Sequence, residues 1–282
     1  MVLVSAAAFG TLAILAKLAY AAGLRLEQLL AFRFLFAAAG MIALAVATRQ
    51  SPFSIDRRRF AALAAMGVVG YSGQAFTFFS ALRQLPASLV ELVLYSYPAL
   101  VALAGWALFR SIISRAHVLA LVASFAGVGL LLGGVTFAAG PALLFAITSP
   151  VLYSAYILVG DRVMPGVPPL AASAVTVSGS ALTFSAVAAA QGALVAPPSA
   201  VGWALVVALA VLPTMVAITL FLAALPRVGG SRAALLSTCE PLVTVALAVA
   251  LLGDRFGPVQ VVGGLLVLGA VAVLQWPRGR RR

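Results

Sequence analysis

The sequence predicts an all-α polytopic membrane protein with ten transmembrane helices in two inverted five-helix repeats. Three observations carry that expectation. Of the 282 residues, 64% are hydrophobic and only 9% are charged, against roughly 45 to 50% apolar and ~25% charged residues in a soluble domain. Ten apolar segments are long enough to cross about 30 Å of hydrocarbon at ~1.5 Å per residue. Finally, sliding the chain against itself by 143 residues brings its second half over its first in a patterned match.

The segments run approximately from 2 to 22, 28 to 48, 60 to 82, 87 to 109, 116 to 133, 140 to 160, 169 to 190, 199 to 225, 233 to 252 and 258 to 276. At membrane depth every backbone polar group must be bonded within its own segment, which calls for helices; the ~10-residue alternating strands of a barrel are not present. The first run lacks the basic flank of a signal peptide and is longer than the usual apolar core of one, so it reads as the first helix.

Placing the charges on loops explains the net charge of +12. With both ends in the cytoplasm, the inner loops and tail carry Arg49, Arg57, Arg58, Arg59, Arg110, Arg115, Arg162, Arg227, Arg232, Arg278, Arg280, Arg281 and Arg282, and the outer loops carry Arg25, Arg83 and Arg255. The reverse orientation would translocate the larger set, against the positive-inside rule. A multi-pass protein of a bacterial inner membrane is therefore expected, with both termini cytoplasmic. No soluble module is present to hold nucleic acid, so the terminal RGRRR reads as a topology anchor beside anionic lipid.

The internal match is best around the prolines. FFSALRQLPASLVELVLYSYPALVALAGWALF at 78 to 109 lies over FLAALPRVGGSRAALLSTCEPLVTVALAVALL at 221 to 252, with Phe78 over Phe221, Ser88 over Ser231 and Pro98 over Pro241. The repeats span 1–134 and 135–282 of one integral membrane domain. Five is an odd number, so the second copy enters the membrane from the opposite side. Inverted repeats with interrupted helices near the midplane are the architecture of secondary transporters.

Four ionisable residues fall well inside the predicted helices: Lys17, Arg33, Glu91 and Glu240. An isolated charge there is costly by about 2.5 to 3.5 kcal/mol on insertion scales, so each should face the bundle interior and find a partner. Lys17, Arg33 and Glu91 lie one to two turns below the outer face, where structural ion pairing between helices is expected ahead of substrate contact. Glu240 lies deeper, about two turns from the inner end of its helix.

Pro241, which follows it, lacks the amide that would bond the Ser237 carbonyl, and Pro98 does the same for Leu94. Matched helix breaks at Pro98 and Pro241 suit binding or hinge elements, whereas simple tolerance of proline in membrane helices explains one better than an aligned pair. Pro150 and Pro213 add two breaks without aligned partners. Helical spacing puts Tyr71, Gln74 and Phe78 on one face, Ser88, Glu91 and Tyr95 on another, and Ser149, Tyr153 and Tyr156 on a third. A substrate cavity lined by Tyr71, Gln74, Phe78, Tyr95, Tyr153, Tyr156 and Glu240 suits small amphipathic solutes. Trp203 and Trp276, near helix ends, read as interfacial belt residues. Gly67, Gly70, Gly73, Gly127 and Gly129 are expected to permit close helix contact.

Other chemistries find little support. Cys239 is the single cysteine and His117 the single histidine, which leaves no disulfide, no Cys- or His-pair metal site and no Ser-His triad within one chain. There is no GxxxxGK[ST] loop for ATP. No cofactor or metal is expected, and the partners are a small-molecule substrate and the lipid bilayer, with a monomer as the expected state. An intramembrane lipid-modifying enzyme is the alternative.

Several stretches then carry a family resemblance: FGTLAILAKLA at 9 to 19, LAFRFLFAAAG at 30 to 40, ALRQLPASLVELVLYSYPAL at 81 to 100 and EPLVTVALAVALLGD at 240 to 254. With the ten-helix count, the chain resembles the EamA-type drug/metabolite transporters over essentially its whole length. The resemblance implies export of amino acids or similar small metabolites by alternating access through a central cavity, with export of other drugs or metabolites as the alternative ahead of a lipid-modifying enzyme. One departure is that the Gly-Glu usual at the end of the proline helix is Gly253-Asp254 in the second half and Arg110-Ser111 in the first.

Overall fold

A computed structural model describes residues 1–109, 115–132, 140–228, 233 and 236–275. Among the expectations above, those on Arg110, Ser111, Ser231, Arg232, Trp276, the basic tail from Arg278 and the His117 side chain lie outside what is described. The described residues contain helices and no strand. In chain order we label them α1 (Val2–Ala21), α2 (Leu26–Ala47), α3 (Arg57–Leu82), α4 (Ala87–Ala107), α5 (Arg115–Leu132), α6 (Gly140–Val163), α7 (Pro169–Ala190), α8 (Ala200–Ala224), α9 (Cys239–Leu252) and α10 (Pro258–Gln275). Eight are long and apolar enough to cross a membrane by length and composition, while α5 and α9 provide shorter apolar stretches. The chain is a multi-pass membrane protein.

Where the helices break, the cause is local. α1 is interrupted at Thr11 and α4 at Tyr95 and Ser96, just ahead of Pro98. α9 follows a turn at Thr238, just ahead of Pro241. Three helices widen into π turns, at Met66–Tyr71 in α3, Val211–Val216 in α8 and Ala248–Leu252 in α9. In α8 the reason is visible: Pro213 cannot bond the Leu209 carbonyl, and the Thr214 hydroxyl donates to it instead at 3.2 Å. Around the α3 widening, the Gly67 carbonyl accepts from Ser72 at 2.8 Å and from Ser180 of α7 at 3.0 Å.

Lipid tails are as apolar as leucine, so close packing and polar contacts must hold such a bundle together. Small residues make the closest approaches. A Cβ at Gly67 would collide with the Thr176 carbonyl of α7, and one at Gly179 would meet the Ala64 carbonyl at 2.7 Å. Gly127 of α5 and Gly263 of α10 interlock the same way, each facing the other's carbonyl at 2.6 to 2.7 Å. Gly10 faces the Glu240 carbonyl at 2.9 Å, and the Thr244 hydroxyl donates to the Gly10 carbonyl at 3.0 Å. Gly70 and Gly73 lie against the Tyr156 and Leu152 side chains, but Gly129 has open space beside it.

The contact pattern is regular. α2 packs along α7 and α5 along α10, while α3 packs on α6 and α7, and α8 on α1 and α2. The α4 segments contact α6 and α9, and α9 in turn contacts α1. α2 and α7 each have 22 residues and begin 143 residues apart, the same shift that relates Arg115–Leu132 to Pro258–Gln275.

Candidate functional site

The two proline-broken helices meet at the centre of this arrangement. Because Pro241 withholds an amide, the Ser237 carbonyl needs a donor from outside its helix, and the Tyr95 hydroxyl of α4 lies 3.2 Å from it. The same hydroxyl lies 2.8 Å from Glu240 Oε2. Glu91, one turn before Tyr95 on the same face, is only 2% exposed, and its Oε1 makes no hydrogen bond. Glu240 is the charged group within electrostatic reach of it.

From Tyr95 a continuous line of aromatic rings leads into the bundle. Tyr95 meets Tyr97 edge-on at 5.9 Å, Tyr97 meets Tyr153 at 4.7 Å, and Tyr153 stacks on Tyr156 at 6.2 Å. Tyr156 lies 5.8 Å from Tyr71, which sits edge-on to Phe34 at 5.3 Å. Five of the chain's six tyrosines are in this line. Edge and offset contacts are the favoured geometry for rings carrying a negative face and a positive edge. Tyr71, Tyr97, Tyr153, Tyr156 and Glu240 all keep partial exposure.

Five of the residues expected at a cavity, Tyr71, Tyr95, Tyr153, Tyr156 and Glu240, are thus in one contiguous set. Gln74 stands beside it, its Nε2 donating to Ser149 of α6 at 3.4 Å. Phe78 stands apart from this set: it is 1% exposed and packs on Phe79 in the core. Tyr97 was not on the expected list, because the break at Tyr95 and Ser96 alters the helical phase that i, i+3, i+7 counting assumes. Its place immediately before Pro98 was the available signal.

The expected ion pairing among Lys17, Arg33 and Glu91 is not what the fold makes, and this is a correction. Arg33 makes no ion pair with Glu91: its Nη2 donates to Thr214 of α8 at 3.4 Å and its guanidinium lies 4.8 Å and 5.0 Å from the ring centres of Phe34 and Phe79. Cation–π contact and a hydroxyl take the place of a carboxylate there. Lys17 lies in the field of Asp254 rather than Glu91. Depth alone had grouped the three, but residues at one depth on different helices face different neighbours.

Asp254 is a residue that spacing did not single out. Gly253 ends α9 in the left-handed conformation, φ 71°, which glycine adopts without strain. The turn delivers Asp254 to the first turn of α4, where its Oδ2 accepts from the Ser88 amide at 3.0 Å and the Ser88 hydroxyl at 2.6 Å. The departure noted at Gly253-Asp254 is therefore an end-cap on another helix.

Comparison with known proteins agrees with this architecture. The sequence profile of the EamA-like transporter family matches residues 1–133 and 140–276. The chain belongs to that EamA-like family. Within 195 aligned residues it is 26% identical to the "Uncharacterized transporter YcbK" of Bacillus subtilis, an alignment covering 66% of this chain and 62% of that relative. A solved crystal structure with 26% identity superposes at a TM-score of 0.63 over 96% of this chain and 97% of its own.

Proposed function

We propose that this EamA-like protein exports amino acids or similar small metabolites by alternating access through a central cavity. The observation that carries the reading is the junction of α4 and α9: two helices broken at prolines 143 residues apart meet through Tyr95, Ser237 and Glu240. Broken helices facing each other across a pseudo-symmetric interface offer carbonyls and carboxylates to a solute where regular helices would offer none. The tyrosine line gives apolar faces with hydroxyl tips, a lining suited to solutes with one charged end and one apolar end.

Ten membrane helices in two inverted repeats, divided near residue 134, underlie the reading. The contacts support it: the 143-residue shift exchanges α3 on α6 with α8 on α1, and leaves α2 on α7 and α5 on α10 unchanged as pairs. The two stretches matched by the family profile support it too. The basic asymmetry of the loops supports a bacterial inner membrane with both termini cytoplasmic, and the protein is taken to work as a monomer. Amino acids head the substrate class on the resemblance to the bacterial exporter YddG.

The test is solute flux in liposomes holding only the purified protein, with a panel of amino acids, other small metabolites and inorganic ions. Saturable flux of at least one organic solute, reduced severalfold by Tyr153→Ala, is expected. Flux of ions alone, or none across the panel with folded protein, would reject the reading.

A further inference from the structure

We propose that the buried Glu91 of α4 and the half-buried Glu240 of α9 form a proton-binding site in which the two carboxyl groups share one proton. Glu91 is 2% exposed, and its Oε1 is a buried acceptor with no donor. Glu91 and Tyr95 are four residues apart on one face of α4, and the Tyr95 hydroxyl lies 2.8 Å from Glu240 Oε2. Tyr95 thus ties Glu240 to the helix face that carries Glu91, and Glu240 lies within electrostatic reach of Glu91. Two negative charges in a medium of low polarity repel, and an isolated buried carboxylate is costly in itself. Something positive must share the site.

Among the described residues, no hydrogen bond or ion pair brings a cationic side chain to Glu91 or Glu240. On the elements around the pair, the titratable groups of the described residues are Tyr97 at the α4 break, Tyr153 and Tyr156 of α6 with Asp161 and Arg162 about 12 to 14 Å further along that helix from Tyr153, Cys239 of α9, and Lys17 and Tyr20 of α1. Lys17 lies in the field of Asp254, and the Tyr20 hydroxyl donates to the Phe79 carbonyl at 2.9 Å. The α3 segment Ser72–Leu82, the α9 segment Ala248–Leu252 and all of α10 contribute no titratable side chain. Arg115 and His117 stand at the start of α5, about 15 to 18 Å along that helix from Gly127, where it interlocks with α10 next to Leu92 of α4. Arg33 is engaged with Thr214, Phe34 and Phe79.

The donor geometry favours a proton over a metal cation. Tyr95 is already in direct hydrogen-bond contact with Glu240 and with the Ser237 carbonyl, and Glu91 Oε1 is the fully buried carboxyl oxygen of the pair that has no donor. A hard cation asks for about six oxygens arranged around a space. A proton adds to one carboxylate oxygen, makes it a donor and breaks no other bond. If the transport reading of the same cavity holds, rearrangement of the α4–α9 junction during access change would take the proton up on one side and release it on the other, so that solute flux is proton-coupled.

Infrared spectroscopy of the full chain in lipid, titrated from acid to alkaline pH, tests the site without any substrate. A protonated carboxyl has a C=O stretch separate from that of a carboxylate, and a chain with six acidic residues gives few such bands. Wild type should show the band at neutral pH, Glu91→Gln and Glu240→Gln should each move its midpoint by at least tenfold in proton concentration, and the double variant should lose it. Tyr95→Phe, which keeps both carboxyls, should shift the band in frequency and so serves if a Gln variant does not fold. Absence of the band in wild type at neutral pH overturns the proposal, as does a band indifferent to all three variants. A band removed by sodium at constant pH would assign the site to a metal cation and equally overturn it. In liposomes, solute flux that ignores an imposed pH gradient would sink the coupling, whereas a normal infrared result with no solute flux would sink the transport reading and leave the proton site standing.

Discussion

The Tyr95 hydroxyl of α4 stands 2.8 Å from Glu240 and 3.2 Å from the Ser237 carbonyl of α9, so one phenol meets both polar groups that the Glu240-Pro241 step exposes. A carboxylate and a helix breaker side by side are tolerable in an apolar segment because their needs are answered together from a second helix. Tyr95→Phe should therefore lower stability by about 0.6 to 1.7 kcal/mol, the range of polar contacts measured between membrane helices. Glu240→Leu should couple to it in a double-mutant cycle, read by thermal unfolding in detergent. Additive effects would show that the contact contributes nothing.

Arg33 and Glu91 give the opposite expectation. Sequence position gives them similar expected depths with opposite charge, yet Arg33 bonds Thr214 and lies over two phenyl rings, and Glu91 Oε1 has no hydrogen-bond partner. Single replacements by Ala should each destabilise, Arg33→Ala through lost packing and cation–π contact. Their sum should equal the double variant within about 0.5 kcal/mol, as for sites without shared partners. A clearly milder double variant would restore the ion pair.

Glycines separate into those that bear close contact and those that do not. At Gly67 a methyl group would run into the Thr176 backbone of α7, which cannot yield as a flexible side chain can, whereas Gly129 has open space. Gly67→Ala should cost about 1 to 3 kcal/mol through overpacking. Gly129→Ala should be neutral or slightly stabilising, since alanine is the better helix former. Parallel melting curves of the two variants check this.

Much of this architecture is legible from hydropathy, because the requirement that backbone amides bond internally at membrane depth leaves helices as the form for such segments. Pro98 and Pro241 could be aligned from sequence, and Pro241 pointed to the Ser237 carbonyl because its chemical consequence is local. Partners were not legible. Nothing in the spacing says that Tyr95 answers Ser237, that Arg33 turns to Thr214, or that Asp254 reaches Ser88 166 residues away. Those pairings depend on which faces of distant helices meet, and the π turns in α3, α8 and α9 rotate faces away from regular 3.6-residue counting. In α4 the break at Tyr95 and Ser96 does the same, and it hid Tyr97.

Orientation in the membrane follows from the loop charges and can be checked directly. With Cys239→Ser as background, a cysteine at Ser54, in the loop beside Arg57, Arg58 and Arg59, should resist an impermeant thiol reagent added to intact cells. One at Gln84, beside Arg83, should react. Both positions are exposed in the structure, so failure to react reports sidedness and not burial. The reverse pattern would invert the topology.

Asp254 bears on how the two halves hold together. It follows α9 but caps α4, accepting from both the amide and the hydroxyl of Ser88 in the first turn, with Lys17 of α1 nearby. An acceptor at this position satisfies an amide that the helix itself leaves open, and a negative charge there complements the helix dipole. Asp254→Ala should therefore lower stability by about 0.5 to 2 kcal/mol, the usual range for removal of a cap. Asp254→Asn keeps an acceptor oxygen but not the charge, and should lose less. Ser88→Ala removes only the hydroxyl bond and leaves the amide bond in place, so its cost should fall below that of Asp254→Ala, and adding it to Asp254→Ala should cost little more. Thermal unfolding of the four proteins decides the matter: if Ser88→Ala is as harmful in the Asp254→Ala background as in wild type, the two residues do not act as one cap.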